Sequence, residues 1–240
     1  LYDDETLKPK TGAEIGRVKM NHKAVDTYVD FVASTISCDL SDVKCLVDCA
    51  NGSASTTAAK LFAKLGAKAE IINNEPNGVN INDHCGSTHM EMLSELVKKG
   101  DYQCGIAFDG DADRCLVVDE NGNLVDGDKM IACCACNLKR KGKLKNNAAV
   151  VTVMTNMGFH EMAKEHGIDV VASKVGDRYV LEEMQKGDFI IGGEQSGHII
   201  FLEHNTTGDG QITALQFLCT LKEEGMTASQ ANAIMKEFPQ

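Results

Sequence analysis

The chain has 240 residues, 43% of them hydrophobic, and its 24 Lys and Arg against 35 Asp and Glu leave a net charge of −11. That length and apolar content support a core for one large or two ordinary domains, while the acidity argues against a nucleic-acid surface or an anionic membrane as partner and favours a small ligand. No apolar run approaches the roughly 20 residues needed to cross a bilayer, and the first thirty residues lack a basic-then-apolar leader, so the expected location is the cytosol.

The polar opening, Asp3-Asp4-Glu5 through Lys8-Pro9-Lys10, has no periodicity and reads as a linker over 1–18. Val25, Tyr28, Val29 and Val32 then predict an amphipathic helix, and Val43 to Asp48 a buried strand. The turn Ala50-Asn51-Gly52-Ser53 leads to a helix with Ala58, Leu61, Phe62 and Leu65 on one face, a stop at Gly66, and the strand Ala69 to Ile72. This is a βαβ unit. Asn73 to Gly86 reads as loop, and a helix carrying Met92, Leu93, Leu96 and Val97 precedes a strand, Gly105 to Phe108, that ends at Asp109.

The second half repeats the plan. A strand over Ala149 to Val153 is followed by the turn Thr155-Asn156-Met157-Gly158, a helix with Phe159, Met162 and Ala163, and the strand Ile168 to Val171. Later the strand Phe189-Ile190-Ile191 opens into a polar glycine loop, Gly192 to His198. The expectation is an α/β protein: two similar βαβ-containing domains, 19–122 and 123–240, with mixed sheets flanked by helices and strand-terminal loops facing a shared cleft.

Ten cysteines could signal a disulfide framework, yet most sit in apolar segments and are expected as reduced core thiols. The C-x-x-C spacing within Cys133-Cys134-Ala135-Cys136 lacks a second pair, and Ile131, Cys134, Ala135 and Leu138 form a helical stripe, so it too reads as core.

The densest chemistry is Asp109-Gly110-Asp111-Ala112-Asp113-Arg114. Three carboxylates at alternate positions repel one another unless a cation sits among them, which asks for a hard, oxygen-preferring metal. An EF-hand would use Asp109, Asp111, Asp113 and Glu120 at positions 1, 3, 5 and 12, but position 6 must be Gly and is Arg114, and the flanks are β-like. A phosphatase with Asp109 as nucleophile stays open. The guanidinium of Arg114 beside a divalent cation suits a phosphate. In the second loop, Gly193 allows close backbone approach, and Glu194, Ser196 and His198 alternate as mixed donors and acceptors suited to sugar hydroxyls.

Lesser signals remain. Asn51-Gly52-Ser53 reads as a cap in preference to an anion site, and Lys174 to Tyr179, including Asp177 and Arg178, reads equally as surface loop or ligand contact. Asp209 reads as a helix N-cap, and the remaining histidines show no metal-ligand spacing.

The segments GIAFDGDADR at 105–114, KVGDRYV at 174–180 and GGEQSGHII at 192–200, in that order, resemble the α-D-phosphohexomutase superfamily, and specifically the second and third of its four domains. Softer cues, Ala112 and Asp177-Arg178-Tyr179, point to the branch that handles glucosamine phosphates. The resemblance implies Mg²⁺ held by Asp109, Asp111 and Asp113, with Arg114 as a catalytic residue close to an enzyme phosphoserine. Glu194 and Ser196, with Gly193, His198, Asp177 and Arg178, would bind a hexosamine or hexose phosphate. It also implies a phosphoserine and a bisphosphate intermediate. No Ser-His-Asn stretch and no Arg-x-Ser-Gly-Thr segment occurs, so the expected partners include the family's first and fourth domains, and the 240 residues alone are expected to be inactive.

Overall fold

The structure, a computed structural model, describes residues 9–239; the beginning of the expected linker, residues 1–8, lies outside the described residues. The rest of that linker, 9–18, is exposed and contains one 3₁₀ turn, Gly12–Glu14.

Two mixed sheets organise the chain. The first comprises β1 (Lys44–Asp48), β2 (Lys68–Ile72), β3 (Cys104–Phe108), β4 (Cys115–Asp119) and β5 (Leu124–Val125), in the order β2-β1-β3-β4-β5. The second comprises β6 (Ala148–Thr152), β7 (Asp169–Ser173), β8 (Ile191–Gly193) and β9 (Ile199–Phe201), in the order β7-β6-β8-β9. In each, three parallel strands are followed by an antiparallel return, β3 to β4 and β8 to β9. The chain therefore folds the same plan twice.

The burial of each strand explains its sequence. β3 and β6 are buried at every position because helices cover both sheet faces, and they read as unbroken apolar runs; the edge strands β2 and β7 are partly exposed and read as mixed. Helices α1 (Ala24–Ser34), α2 (Ala58–Lys64) and α3 (Glu91–Lys99) serve the first sheet. Helices α4 (Gly127–Arg140), α5 (Met157–Glu165) and α6 (Asp177–Gly187) serve the second. Two more, α7 (Gly210–Glu224) and α8 (Ala228–Asn232), span the junction: α7 packs on α4, β9, β3 and β4, and α8 on α4, β4 and β5. α7 is buried from Gly210 to Leu215 and again from Phe217 to Leu221, as expected of a helix enclosed on all sides. The main apolar core consequently runs without interruption from Val29 and Phe62 through Phe108 and Ile131 to Phe217 and Met235.

Three details differ from the sequence reading. The strand expected at Phe189-Ile190-Ile191 is Ile191–Gly193, because Asp188 closes α6 in the left-handed region and the Phe189 N–H still bonds back to Met184 O. β5, placed after the domain boundary at 122, completes the first sheet by pairing with β4, so the chain crosses between the units at Asp126. Not all cysteines are free: Cys38, after α1, is disulfide-bonded to Cys219 in α7, since packing α7 against the first unit brings residues 181 apart in sequence to a Cα separation of 5.8 Å. The remaining eight are free thiols, seven of them buried. Among the described residues no helix is long and apolar enough to cross a membrane.

Candidate metal and sugar site

Parallel strands deliver loops from their C-terminal ends to one rim, the place where open α/β sheets put ligands. Here those loops are 49–57 after β1, 109–114 after β3, 153–156 after β6, 174–176 after β7 and 194–198 after β8. The acidic segment is thus the turn of the β3–β4 hairpin, and Phe108 faces Cys115 across it.

An extended strand would spread Asp109 and Asp113 roughly 13 Å apart, too far for one ion. The loop instead curls at Ala112, a non-glycine residue at φ 60°, and Ala112 N–H bonds to Asp109 O at 3.1 Å. The curl brings one oxygen of each of Asp109, Asp111 and Asp113 within 4.8 Å of the others, the one such group of metal-ligating side chains among the described residues. Asp109 is buried, Asp113 half-buried and Asp111 exposed, so the group opens to solvent on one side. Burial pushes the Asp109 carboxyl up to about 6; the Arg114 N–H opposes this, and the charges of Asp113 and Asp111 add to it. Asp113 Oδ1 is buried with no hydrogen-bond partner. Three hard oxygen donors, one orphaned and one held above its ordinary range chiefly by burial, fit Mg²⁺.

Arg114 binds the loop through its N–H, which donates to Asp109 Oδ1 at 3.2 Å. Its Nε lies 3.8 Å from Asp109 Oδ2 and 3.9 Å from Asp113 Oδ1, and 42% of its side chain remains exposed. It stands beside the triad with room to meet an anion. The EF-hand alternative does not survive: strands flank the loop, and Glu120 sits at the other end of β4, where it accepts from the Ser229 N–H and hydroxyl. The turn Asn51-Gly52-Ser53 offers no free donor to an anion at Ser53, whose N–H bonds to Gly110 O at 2.8 Å.

The second loop lies directly against the first. Cys115 N–H donates to Gly197 O at 3.1 Å, and His198 Nδ1 meets Asp113 Oδ2 at 3.0 Å. Gly208 N–H donates to His198 Nε2 at 3.1 Å, so the ring proton belongs on Nδ1 and points at Asp113. His198, expected among the sugar-binding residues, is buried and hydrogen-bonded through both ring nitrogens, to Asp113 and Gly208, and it ties the 194–198 loop to the 109–114 loop. Glu194 Oε1 accepts from Gly176 N–H at 2.9 Å and its Oε2 from Ser196 Oγ at 3.5 Å; Ser196 is exposed. Gly193 is the last residue of β8, and a Cβ there would lie 2.4 Å from His198 O. Asp177 opens α6 and accepts from Arg178 N–H, and Arg178 pairs with Glu182 at 2.8 Å, so both are exposed at the rim with their side chains engaged locally.

Two family models match this chain: "Phosphoglucomutase/phosphomannomutase, alpha/beta/alpha domain II" over residues 26–122, and the corresponding "domain III" over 126–238. The chain belongs to the phosphoglucomutase/phosphomannomutase family. Among its curated relatives, the phosphoglucosamine mutase of Desulforamulus reducens is 54% identical over 240 residues, covering 100% of this chain and 54% of the relative. That of Clostridium kluyveri is 53% identical over 230 residues, covering 95% of this chain and 51% of its own length. The chain thus spans about half the length of the relatives it matches. Among solved structures, a phosphoglucomutase/phosphomannomutase family protein from Burkholderia thailandensis superposes with a TM-score of 0.77 at 25% identity, covering 88% of this chain and 46% of the other. The N-acetylphosphoglucosamine mutase of Aspergillus fumigatus, solved with GlcNAc-6P and magnesium, superposes at 0.74 and 21% identity over 91% of this chain and 51% of its own, and shares the fold.

Sequence reasoning missed what braces these loops. Gly52 approaches Gly110 so closely that a Cβ would lie 2.2 Å from Gly110 O. Asp126 accepts from Gln195 Nε2 at 3.1 Å, and Gly127 N–H donates to Gln195 O at 2.9 Å. Gly208 to Gly210 cover the metal loop from the second unit. The glycines of NTTGDGQ at 205–211 were the available signal, and they carry no periodicity to announce a partner.

Proposed function

We propose that this chain is the metal- and sugar-binding half of a phosphosugar mutase that interconverts glucosamine 6-phosphate and glucosamine 1-phosphate, an intramolecular phosphotransferase. The observation that carries this reading is the pair of adjoining loops, bonded through Asp113–His198 and Cys115–Gly197, that present a carboxylate triad and the polar pair Glu194 and Ser196. The resemblance to curated phosphoglucosamine mutases supports glucosamine over glucose or mannose.

In this reading Asp109, Asp111 and Asp113 hold Mg²⁺, which when bound neutralises charge on a phosphoryl group. Arg114 supplies a fixed positive charge beside it, aimed at oxygens on which negative charge accumulates during transfer. Glu194 accepts from sugar hydroxyls, and Ser196 both donates and accepts. A ligand must occupy this loop in two orientations for either phosphate to reach the triad, which mixed donors and acceptors permit. The phosphoserine that gives and takes the phosphoryl group, through a bisphosphate, belongs to a further domain of the same chain, as does the clamp for the distal phosphate.

The test is to assay an intact chain carrying this sequence against glucosamine, glucose and mannose phosphates, beside the 240-residue chain alone. The intact chain should favour glucosamine phosphate and the shorter one should show no turnover. Turnover by the shorter chain, or a phosphoryl group trapped on Asp109, would favour the phosphatase reading.

A further inference from the structure

We propose that Gly208-Asp209-Gly210, pinned from the first unit by Tyr28, is the positioning element that keeps the metal loop in its ligating shape, so that cation affinity in the first unit depends on the second. The inference rests on the reading of Asp109, Asp111 and Asp113 as a divalent-cation site. The triad exists only because the chain bends at Ala112, and a left-handed alanine needs neighbours to hold it. Within the loop, Ala112 N–H to Asp109 O is one support; Gly210 N–H donates to Ala112 O at 2.9 Å from across the junction.

Neither Gly208 nor Gly210 has a positive φ, so backbone conformation does not explain them. Close approach does. A Cβ on Gly210 would lie 2.4 Å from Arg114 O and 3.0 Å from Ala112 O, and one on Gly208 would lie 2.7 Å from Asp113 O and 2.6 Å from His198 Cε1. Any side chain at either position pushes the second unit off the bend.

Asp209, between them, lines the same open cavity of ≈ 500 Å³ as Asp111 and Asp113. Its carboxylate is already committed: Gln211 N–H and Ile212 N–H donate to Oδ1 at 3.0 and 3.1 Å, and the Tyr28 hydroxyl lies 3.0 Å from each oxygen. Gln211 Nε2 extends the connection to Thr57 Oγ1 at 2.7 Å. Asp209 therefore anchors the start of α7 to α1, Gln211 ties it to the N-cap of α2, and ligation is left to the triad.

The probe is Mn²⁺, titrated into the 240-residue chain by calorimetry and read independently by the electron paramagnetic resonance of the bound ion. Gly210→Ala should weaken Mn²⁺ binding about tenfold or more and alter the spectrum, and Tyr28→Phe should weaken it about threefold. Leu93→Ala, in the separate apolar cluster on the other face of the first sheet, should lower the melting temperature while leaving Mn²⁺ affinity unchanged. Asp111→Ala should abolish binding; if it does not, the triad reading itself fails. If Asp111→Ala abolishes binding while Gly210→Ala and Tyr28→Phe stay within twofold of the parent, the positioning inference is overturned. Should Gly210→Ala not fold, Tyr28→Phe against Leu93→Ala decides the matter alone.

Discussion

Asp128 offers a stability experiment that requires no substrate. It is fully buried at the start of α4; its Oδ2 accepts from Asn156 N–H at 2.8 Å, while Oδ1 has no partner. The neighbouring Thr155 hydroxyl is near enough to favour the charged form slightly, yet it too lacks a hydrogen bond of ordinary geometry. Burial raises the Asp128 carboxyl from 3.8 to about 6, with Asn156 N–H opposing and Asp126 adding to the rise. Below the ordinary carboxylate range, folded and unfolded chains both carry the proton and nothing is lost. As pH climbs through about 6 the folded chain must give it up, and a shift of about two units costs about 3 kcal/mol by pH 8. Roughly half of that, about 1.5 kcal/mol, accrues between pH 5 and pH 8. Asp128→Asn keeps an acceptor for Asn156 N–H, removes the charge, and offers an amide donor to Thr155 Oγ1. Urea unfolding at pH 5, 6, 7 and 8 should show the variant gaining on the parent by about 1.5 kcal/mol over that interval. A gap that stays flat across the four pH values would refute the assignment of a buried, reluctant carboxylate.

Other expectations can be checked alongside. Gly52→Ala, which forces a Cβ against Gly110 O, should cost about 1–3 kcal/mol in urea unfolding. In an intact chain, Arg114→Ala should reduce kcat by about 10²-fold or more in steady-state assays, because it removes charge from the phosphoryl site. Glu194→Gln keeps an acceptor for Gly176 N–H but loses its charge, and should raise KM for the sugar phosphate about tenfold with a smaller change in kcat. Burial pushes the Cys45, Cys49 and Cys134 thiols up to about 12, so a thiol reagent at pH 8 should react slowly with the folded chain and with all eight free cysteines once urea unfolds it.

The proposed function divides labour between the two units. In it the first unit would supply charge, through the triad and Arg114, and the second hydroxyl recognition, through Glu194 and Ser196. Because α7 and the 208–210 segment of the second unit pack on the first, the two units share one continuous core.

Much of this was legible in the chain itself. The apolar runs at β1, β3 and β6 announce strands covered on both faces, and the helical stripes of α1 to α3 and α5 follow from residues three and four apart, so neighbours in sequence dictate them. The alternate aspartates, too, are a local pattern whose mutual repulsion asks for a cation. What only the tertiary structure decided lies between distant segments. His198 faces Asp113 across 85 residues, Cys38 meets Cys219 across 181, and Gly210 leans on Ala112 from nearly a hundred residues away. A glycine chosen to let two backbones touch leaves no side chain and no period in the sequence, and a histidine's partner depends on which loop the fold sets opposite it. Local physics writes the elements and the reactive groups, while close packing at the junction determines which of those groups act together.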